Sequence, residues 1–281
     1  MKKLIRLALQ EDEAFQDVTT EALISKRAVG QAKIYFWESG IVCGVSVVRE
    51  VYRHVNRQVK VKALRREGAR VRRGQAICEI SGPTHAILRG ERTALNFLGR
   101  LSGIATLTNA FVRKIRPYQV EILDTRKTTP GLRLLEKYAV RTGGGTNHRL
   151  TLSDAVLIKT NHLRARGGGA ELIQPFVRLA RRKQRPVYVE VTDEESLREA
   201  FGARPDVILL DNWDLSQVGR AVAMRRRAFG DNKGPILEVS GGVTLSNVRK
   251  LVKTGIKRIS IGALTHSARS LNVSLRLFSE S

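Results

Sequence analysis

Between Asp124 and His162 the chain reads DTRKTTPGLRLLEKYAVRTGGGTNHRLTLSDAVLIKTNH. The stretch sets Arg126, Lys127, Arg133, Lys137, Arg141, His148, Arg149, Lys159 and His162 around two glycine-bearing loops. Apolar runs flank it, VEILD before Thr125 and AVLI before Lys159. Short apolar runs bounded by turn residues read as buried strands. Arg126-Lys127 and Lys159 therefore belong at strand ends. Two cationic clusters delivered by separate strand ends suit a small polyanion; the competing reading is a basic surface loop. A solvated loop, however, gives no reason for cations to follow apolar runs directly.

The elements that must position these residues change character along the chain. Up to about Leu101 the pattern is mixed. Leu4–Gln10 reads as an amphipathic helix, and EDEAFQDVTTEALI is turn material leading into a helix start. QAKIYFWES, QVKVKAL, AICEISG and, more ambiguously, IVCGVSVV read as extended runs, the mark of an antiparallel sheet with helices. One or two helices follow, with Leu95, Leu98, Leu101, Ile104, Leu107 and Phe111 at helical spacing. From Val120 strands and helices alternate. Strands are expected at Val120–Asp124, Ala155–Lys159, Val187–Val191, Asp206–Leu210, Ile236–Ser240 and Arg258–Gly262. The intervening helices are Ala170–Lys183, Glu194–Phe201, Leu215–Arg227 and Leu245–Thr254. At least six such units predict a parallel sheet closed, or nearly closed, into a barrel; a doubly wound open sheet is the alternative.

In a barrel of this kind the carboxyl ends of the strands build the active site. Here they carry, in order, Arg126-Lys127, Lys159, Glu190, Asp211-Asn212, Ser240-Gly241-Gly242 and Gly262-Ala263. Cations come first, carboxylates next and glycines last. Glycine lets a phosphate approach backbone N–H groups, so SGG and IGA fit a phosphate site at the last two loops. Glu190 and Asp211 either cap the helices that follow or bind sugar hydroxyls or a hydrated magnesium ion. GGG at Gly143–Gly145 lacks the strand-GxGxxG-helix context of a dinucleotide fingerprint. His54, His85 and His266 show no ligand spacing.

Composition bounds the function. With 281 residues and 42% apolar content the chain is globular, with room for one large or two moderate domains. No apolar run approaches the roughly 20 residues of a membrane span. MKKLIRLALQEDEAF opens like a signal peptide, but acids interrupt it before an apolar segment develops, so cytoplasmic residence is expected. Cys43 and Cys78 offer neither a disulfide framework nor metal-ligand spacing and are expected in the core. The formal charge is +24, concentrated in RREGARVRRG, LARRKQR and AMRRRAF. Aromatics make up only 5% and do not alternate with these clusters, as they do in single-strand binders. A solvated basic surface is expected, with no specific nucleic-acid partner.

The motifs resemble those of quinolinate phosphoribosyltransferases over almost the whole chain. They run from ALQED and DVT through GERTALNFLGRLSGIAT, DTRKTTPGLRLLEKYAVRTGGGTNHR and SDAVLIKTNH, then VEV, ILLDN, LEVSGGVTLSNV and RISIGALTHSA. The resemblance implies an α/β fold: an N-terminal α/β sandwich domain, residues 1–103 joined by 265–281, and an incomplete seven-stranded α/β barrel of parallel strands, residues 104–264. It implies transfer of the phosphoribosyl group of phosphoribosyl pyrophosphate to quinolinate with decarboxylation. The products are nicotinate mononucleotide, pyrophosphate and carbon dioxide, and magnesium is the cofactor. It also implies a homodimer, or a hexamer built as a trimer of dimers, whose active sites are shared between subunits. By motif, Arg126, His148, Arg149 and Lys159 would hold quinolinate, with Arg92 arriving from the partner subunit. Lys127, Glu190 and Asp211 would serve the phosphoribosyl pyrophosphate, Glu190 and Asp211 also magnesium through water, and Ser240, Gly241, Gly242 and Gly262 the 5′-phosphate. Lys127, Lys159, Glu190 and Asp211 would be the catalytic set.

Three positions depart from the family pattern: Thr160 stands for an acid, Tyr188 for the first glutamate of an EVE strand, and Gln16 for a glycine. Alternatives stay open. They are a related group associated with molybdenum transport, a nicotinate phosphoribosyltransferase, a catalytically inactive sensing homologue, and a nucleic-acid binder using the basic clusters.

Overall fold

The computed structural model describes residues 1–231 and 233–278, and these form two compact units. The first comprises Met1–Asn109, Thr129–Gly144 and the described chain from Ser267 onward. The second comprises Ala110–Thr128 and Gly145–His266.

The first unit is built on an antiparallel sheet. Its strands are β1 (Val29–Phe36), β3 (Lys60–Ala63), β5 (Ala76–Pro83) and β12 (Val273–Phe278), in the order β12-β1-β5-β3. A short ribbon pairs β2 (Gly40–Ile41) with β4 (Arg70–Val71). Alternation along β1 sends Ala32, Ile34 and Phe36 into the core, as the two-residue period of a half-buried strand requires. The helix Lys2–Glu11 buries Ile5 and Leu9, one turn apart. IVCGVSVV resolves into strand and helix: Gly44, at φ 112°, turns the chain after β2, and the helix Val45–Val55 follows. The expected linking helices are a single 31-residue helix, Thr84–Lys114. Cys43 and Cys78 are both inaccessible, and burial pushes each thiol up to about 12.

The second unit contains six parallel strands. They are β6 (Glu121–Leu123), β7 (Val156–Ile158), β8 (Val187–Val191), β9 (Val207–Asp211), β10 (Ile236–Ser240) and β11 (Arg258–Ser260). Their order, β6-β11-β10-β9-β8-β7, follows the chain from β7 to β11 and then returns to the first strand. That is barrel order; a doubly wound sheet would reverse direction in its middle. Beside β6 a seventh, one-residue element makes a parallel bridge: Thr146 donates its N–H to Ile122 O at 2.8 Å and accepts from Asp124 N at 3.2 Å. The outer helices start where capping chemistry tells them to. Asp193 accepts from Ser196 N and Asp214 from Gln217 N, each at 2.8 Å, starting Glu194–Ala203 and Leu215–Phe229. The arginines of the three basic clusters are mostly exposed.

A thiol held so far above neutrality carries almost no thiolate and has no solvent access. The folded protein should therefore take up no iodoacetamide at Cys43 or Cys78 over hours at pH 8, and two equivalents once denatured. Intact-mass measurement reads the difference.

Candidate active site

The carboxyl ends of the six strands surround a cavity of about 410 Å³. Arg126, Lys127, His148, Arg149 and Lys159 line it, together with Glu190, Asp211, Ser240 and Gly241. Both cationic clusters and both carboxylates named from the sequence thus share one pocket. Gly242 lines a neighbouring cavity with Asn212 and Lys250. Gly262 packs against Lys127: a Cβ there would stand 3.0 Å from the lysine Cδ. Arg92 is exposed on the helix Thr84–Lys114, within the first unit. Arg133, Lys137 and Arg141 lie on the helix Arg133–Thr142 of that unit, Lys137 buried, Arg133 half-buried and Arg141 exposed.

One buried carboxylate joins the two cationic loops. Asp124, inaccessible at the end of β6, accepts the backbone N–H of His148 at 2.9 Å and the side-chain N–H of Asn147. Two residues later Arg126 turns into the pocket, with its buried Nε making no hydrogen bond. Arg149 donates from Nη1 to Ala155 O at 2.9 Å. Burial, and then the guanidinium of Arg126, hold the Arg149 pKa below its ordinary value. Two like charges close enough to perturb one another thus line one cavity.

Across the pocket, Lys159 Nζ lies 2.7 Å from Glu190 Oε2. Asp211 has its pKa raised by burial and then by Glu190, against the opposing pull of Lys159 and Lys127. The phosphate-type loop follows β10. Gly241 (φ 88°) and Gly242 (φ 61°) both occupy the left-handed region, and a Cβ on Gly241 would fall 2.0 Å from Asn212 Oδ1. Asn212 itself sits at φ 59° and donates its backbone N–H to Ser240 O at 2.8 Å. Successive left-handed residues turn N–H groups toward one concavity, which favours an anion.

His148 lines the cavity while being largely buried. It is only 8% exposed, its Nδ1 accepts the Arg149 backbone N–H at 2.8 Å, and its Nε2 faces Glu238 Oε1 at 3.5 Å. Its two ring nitrogens are turned to the protein. The sequence reading missed Glu238, Arg258 and Ser260, which face the interior beside it. The signal was available: inward positions recur every second residue, so the residue two before each strand end also points into the barrel. Tyr188, two before Glu190, is another, its ring 5.1 Å from the His148 ring. Thr160 opens the short helix Thr160–Arg164 directly after Lys159.

Asp211 gives a signed prediction. Because its folded pKa is raised, the native state holds this proton more tightly than the unfolded chain, and stability falls as pH rises through that range. Asp211→Asn removes the penalty. It should raise the urea midpoint at pH 7 and lose the advantage towards pH 3, where the wild-type carboxyl is protonated in both states.

Comparison with known proteins fixes the family. The model for the C-terminal domain of quinolinate phosphoribosyl transferase matches residues 104–276, and that for the N-terminal domain matches residues 17–102. The chain is 41% identical over 278 residues to the nicotinate-nucleotide pyrophosphorylase [carboxylating] of Mycobacterium leprae, covering 97% of this chain and 95% of that protein. It is 38% identical over 298 residues to the chloroplastic enzyme of that name from Arabidopsis thaliana, covering 100% and 83%. Among solved structures, the nicotinate-nucleotide pyrophosphorylase of Francisella tularensis superposes with a TM-score of 0.89 at 37% identity, covering 99% of this chain and 95% of that one. With two family models spanning nearly its whole length and relatives this similar over the same extent, the chain belongs to the quinolinate phosphoribosyltransferase family.

Proposed function

We infer that the chain is a nicotinate-nucleotide pyrophosphorylase (carboxylating), joining quinolinate to phosphoribosyl pyrophosphate in the synthesis of the pyridine nucleotide that leads to NAD. The observation that carries this assignment to its pocket is the pair Arg126 and Arg149, held together against their mutual repulsion. A dianion with adjacent carboxylates relieves that repulsion, and each guanidinium can grip a carboxylate bidentately. Lys159, already paired with Glu190, borders the same space.

The remaining residues divide by charge. Lys127 serves the diphosphate, and Ser240, Gly241, Gly242 and Gly262 cradle the 5′-phosphate. Glu190 and Asp211 hold the ribose hydroxyls. The quinolinate ring nitrogen forms a bond to ribose C1 as the bond from C1 to the diphosphate oxygen breaks, and the electron pair leaves with diphosphate. Positive charge builds on the sugar and faces Glu190 and Asp211; negative charge builds on the leaving group and faces the cations. The clamp supplies orientation, placing the ring nitrogen against C1. The pyridinium so formed accepts the electron pair released when the carboxylate beside the ring nitrogen leaves as carbon dioxide. That ring carbon then takes a proton, giving nicotinate mononucleotide.

Magnesium belongs to the same proposal. Among the described residues no group of three or more His, Cys, Asp or Glu could hold a metal on protein ligands alone. Two crowded carboxylates, Glu190 and Asp211, suit an ion that keeps most of its waters and shares its remaining ligands with substrate phosphates. When bound it would supply charge neutralisation at the diphosphate.

We also propose a homodimer, or a hexamer of three dimers, in which Arg92 completes the neighbouring subunit's dicarboxylate clamp. Cytoplasmic residence is part of the same reading. Two free buried thiols support it, and among the described residues no helix is long and apolar enough to cross a membrane.

Carbon dioxide and nicotinate mononucleotide should form from quinolinate, phosphoribosyl pyrophosphate and magnesium, and not from nicotinate in place of quinolinate. Arg126→Ala and Lys159→Ala should each lower kcat/KM at least about a thousandfold, since both act on charge in the reacting complex. Wild-type activity in Arg126→Ala would rule out the clamp. Sharing of sites has its own test. Arg92→Ala and Arg126→Ala, each inactive, should regain about a quarter of wild-type activity when unfolded, mixed equally and refolded, because random pairing leaves one intact site in each mixed dimer. No recovery would place Arg92 within its own subunit's site or outside any site.

A further inference from the structure

Beneath the rim of the pocket lies a second polar layer. Glu238, two residues before Ser240 on β10, is inaccessible to solvent. Its register partner across β11 is Arg258, whose Nε stands 3.3 Å from Glu238 Oε2 and 3.4 Å from Glu121 Oε2. His148 Nε2 approaches Glu238 Oε1 at 3.5 Å from the other side. Tyr188 closes the layer, its ring 5.1 Å from the imidazole and 5.9 Å from the Arg258 guanidinium carbon. Glu238 does not line the cavity and so cannot touch a substrate there.

The hydrogen-bond pattern assigns the His148 tautomer. Nδ1 accepts the Arg149 backbone N–H, so in the neutral ring the proton is on Nε2, the nitrogen that faces Glu238. The same Arg149 carries the guanidinium that borders Arg126 in the pocket. A path thus runs from a carboxylate outside the pocket, by a 3.5 Å approach to His148 Nε2 and then a hydrogen bond to the Arg149 main chain, to a cation inside it. It parallels the carboxylate–histidine pairs that fix ligand orientation in metal sites.

We propose that Glu238 is a positioning residue for the dicarboxylate clamp: it holds His148 in the Nε2-protonated form, and His148 in turn fixes the Arg149 main chain so that its guanidinium meets quinolinate in one orientation. The inference rests on the assignment of this cavity to quinolinate. Tyr188 places its ring beside both His148 and Arg258 and shields them. Burial raises the Glu238 pKa, with Arg258 pulling the other way, and Glu121 shares that arginine from β6.

Calorimetric titration of the full-length protein with quinolinate, and separately with phosphoribosyl pyrophosphate, tests the path. Glu238→Ala should weaken quinolinate about tenfold, a loss of the size one buried polar interaction carries. Glu238→Gln keeps an acceptor oxygen for Nε2 and should stay within about threefold of wild type; affinity for phosphoribosyl pyrophosphate should change less than about twofold in either. The double variant His148→Ala/Glu238→Ala should bind quinolinate no more weakly than His148→Ala alone, because residues acting through one path are not additive. Additive losses, or equal losses for both ligands, would make Glu238 only a counter-ion of Arg258. Imidazole nitrogen-15 spectra, assigned by comparison with His148→Gln, need no folded Glu238 variant: a Nδ1-protonated His148 would overturn the proposal. Arg126→Ala separates the two claims. Retained quinolinate affinity there removes the pocket assignment itself; lost affinity alongside additive Glu238 and His148 effects removes only the positioning role.

Discussion

The site depends on Asp124. A carboxylate with no solvent contact ends the first barrel strand and takes hydrogen bonds from the His148 main chain and the Asn147 side chain. It thereby ties the DTRK turn to the GGGTNHR turn and sets Arg126 and Arg149, 23 positions apart in sequence, side by side. Without that acceptor the buried His148 N–H and the half-buried Asn147 side chain would both lose their partner. The segment between the two turns meanwhile packs with the other unit. The loop connecting the clamp's two halves is therefore part of a separate core and not slack chain.

Like charges gathered before a substrate arrives lower the stability of the empty protein. Arg149 beside Arg126, and Asp211 beside Glu190, are both held in a charge state that their surroundings disfavour. Lys159 partly offsets the acidic pair through Glu190. The arrangement is that of a preorganised site: repulsion already built into the fold becomes differential affinity for ligands of complementary charge. Left-handed backbone at Asn212, beside the left-handed glycines Gly241 and Gly242, is the covalent counterpart, strain placed at the rim of the pocket.

Much of this was legible in the sequence because it followed from period and position. Apolar runs placed Val187–Val191 and Ile236–Ser240 at their observed bounds. Strand ends named Arg126, Lys127, Lys159, Glu190 and Asp211, and those side chains do converge. What was not legible depended on tertiary partners. His148 lies in a polar loop with no apolar stripe, yet Glu238 and Tyr188 bury it. The glutamate of LEVSGG looked like one more strand residue until the register set it beside Arg258. Val45–Val55 holds valines that favour strands, and only its packing makes it helical.

The sheet order of the first unit has a bearing on how the protein is made. Strand β1, synthesised before its neighbours, has β5 on one side and β12 on the other, and β12 is the last strand of the described chain. Until some 240 further residues have been synthesised, one edge of β1 offers unpaired N–H and C=O groups to any other strand nearby. The parallel barrel strands, with their own slow non-local pairing, emerge during that interval. Vectorial synthesis therefore leaves that edge of β1 open until β12 has been made, and a nascent chain stalled or truncated before Val273 carries a ready template for aggregation.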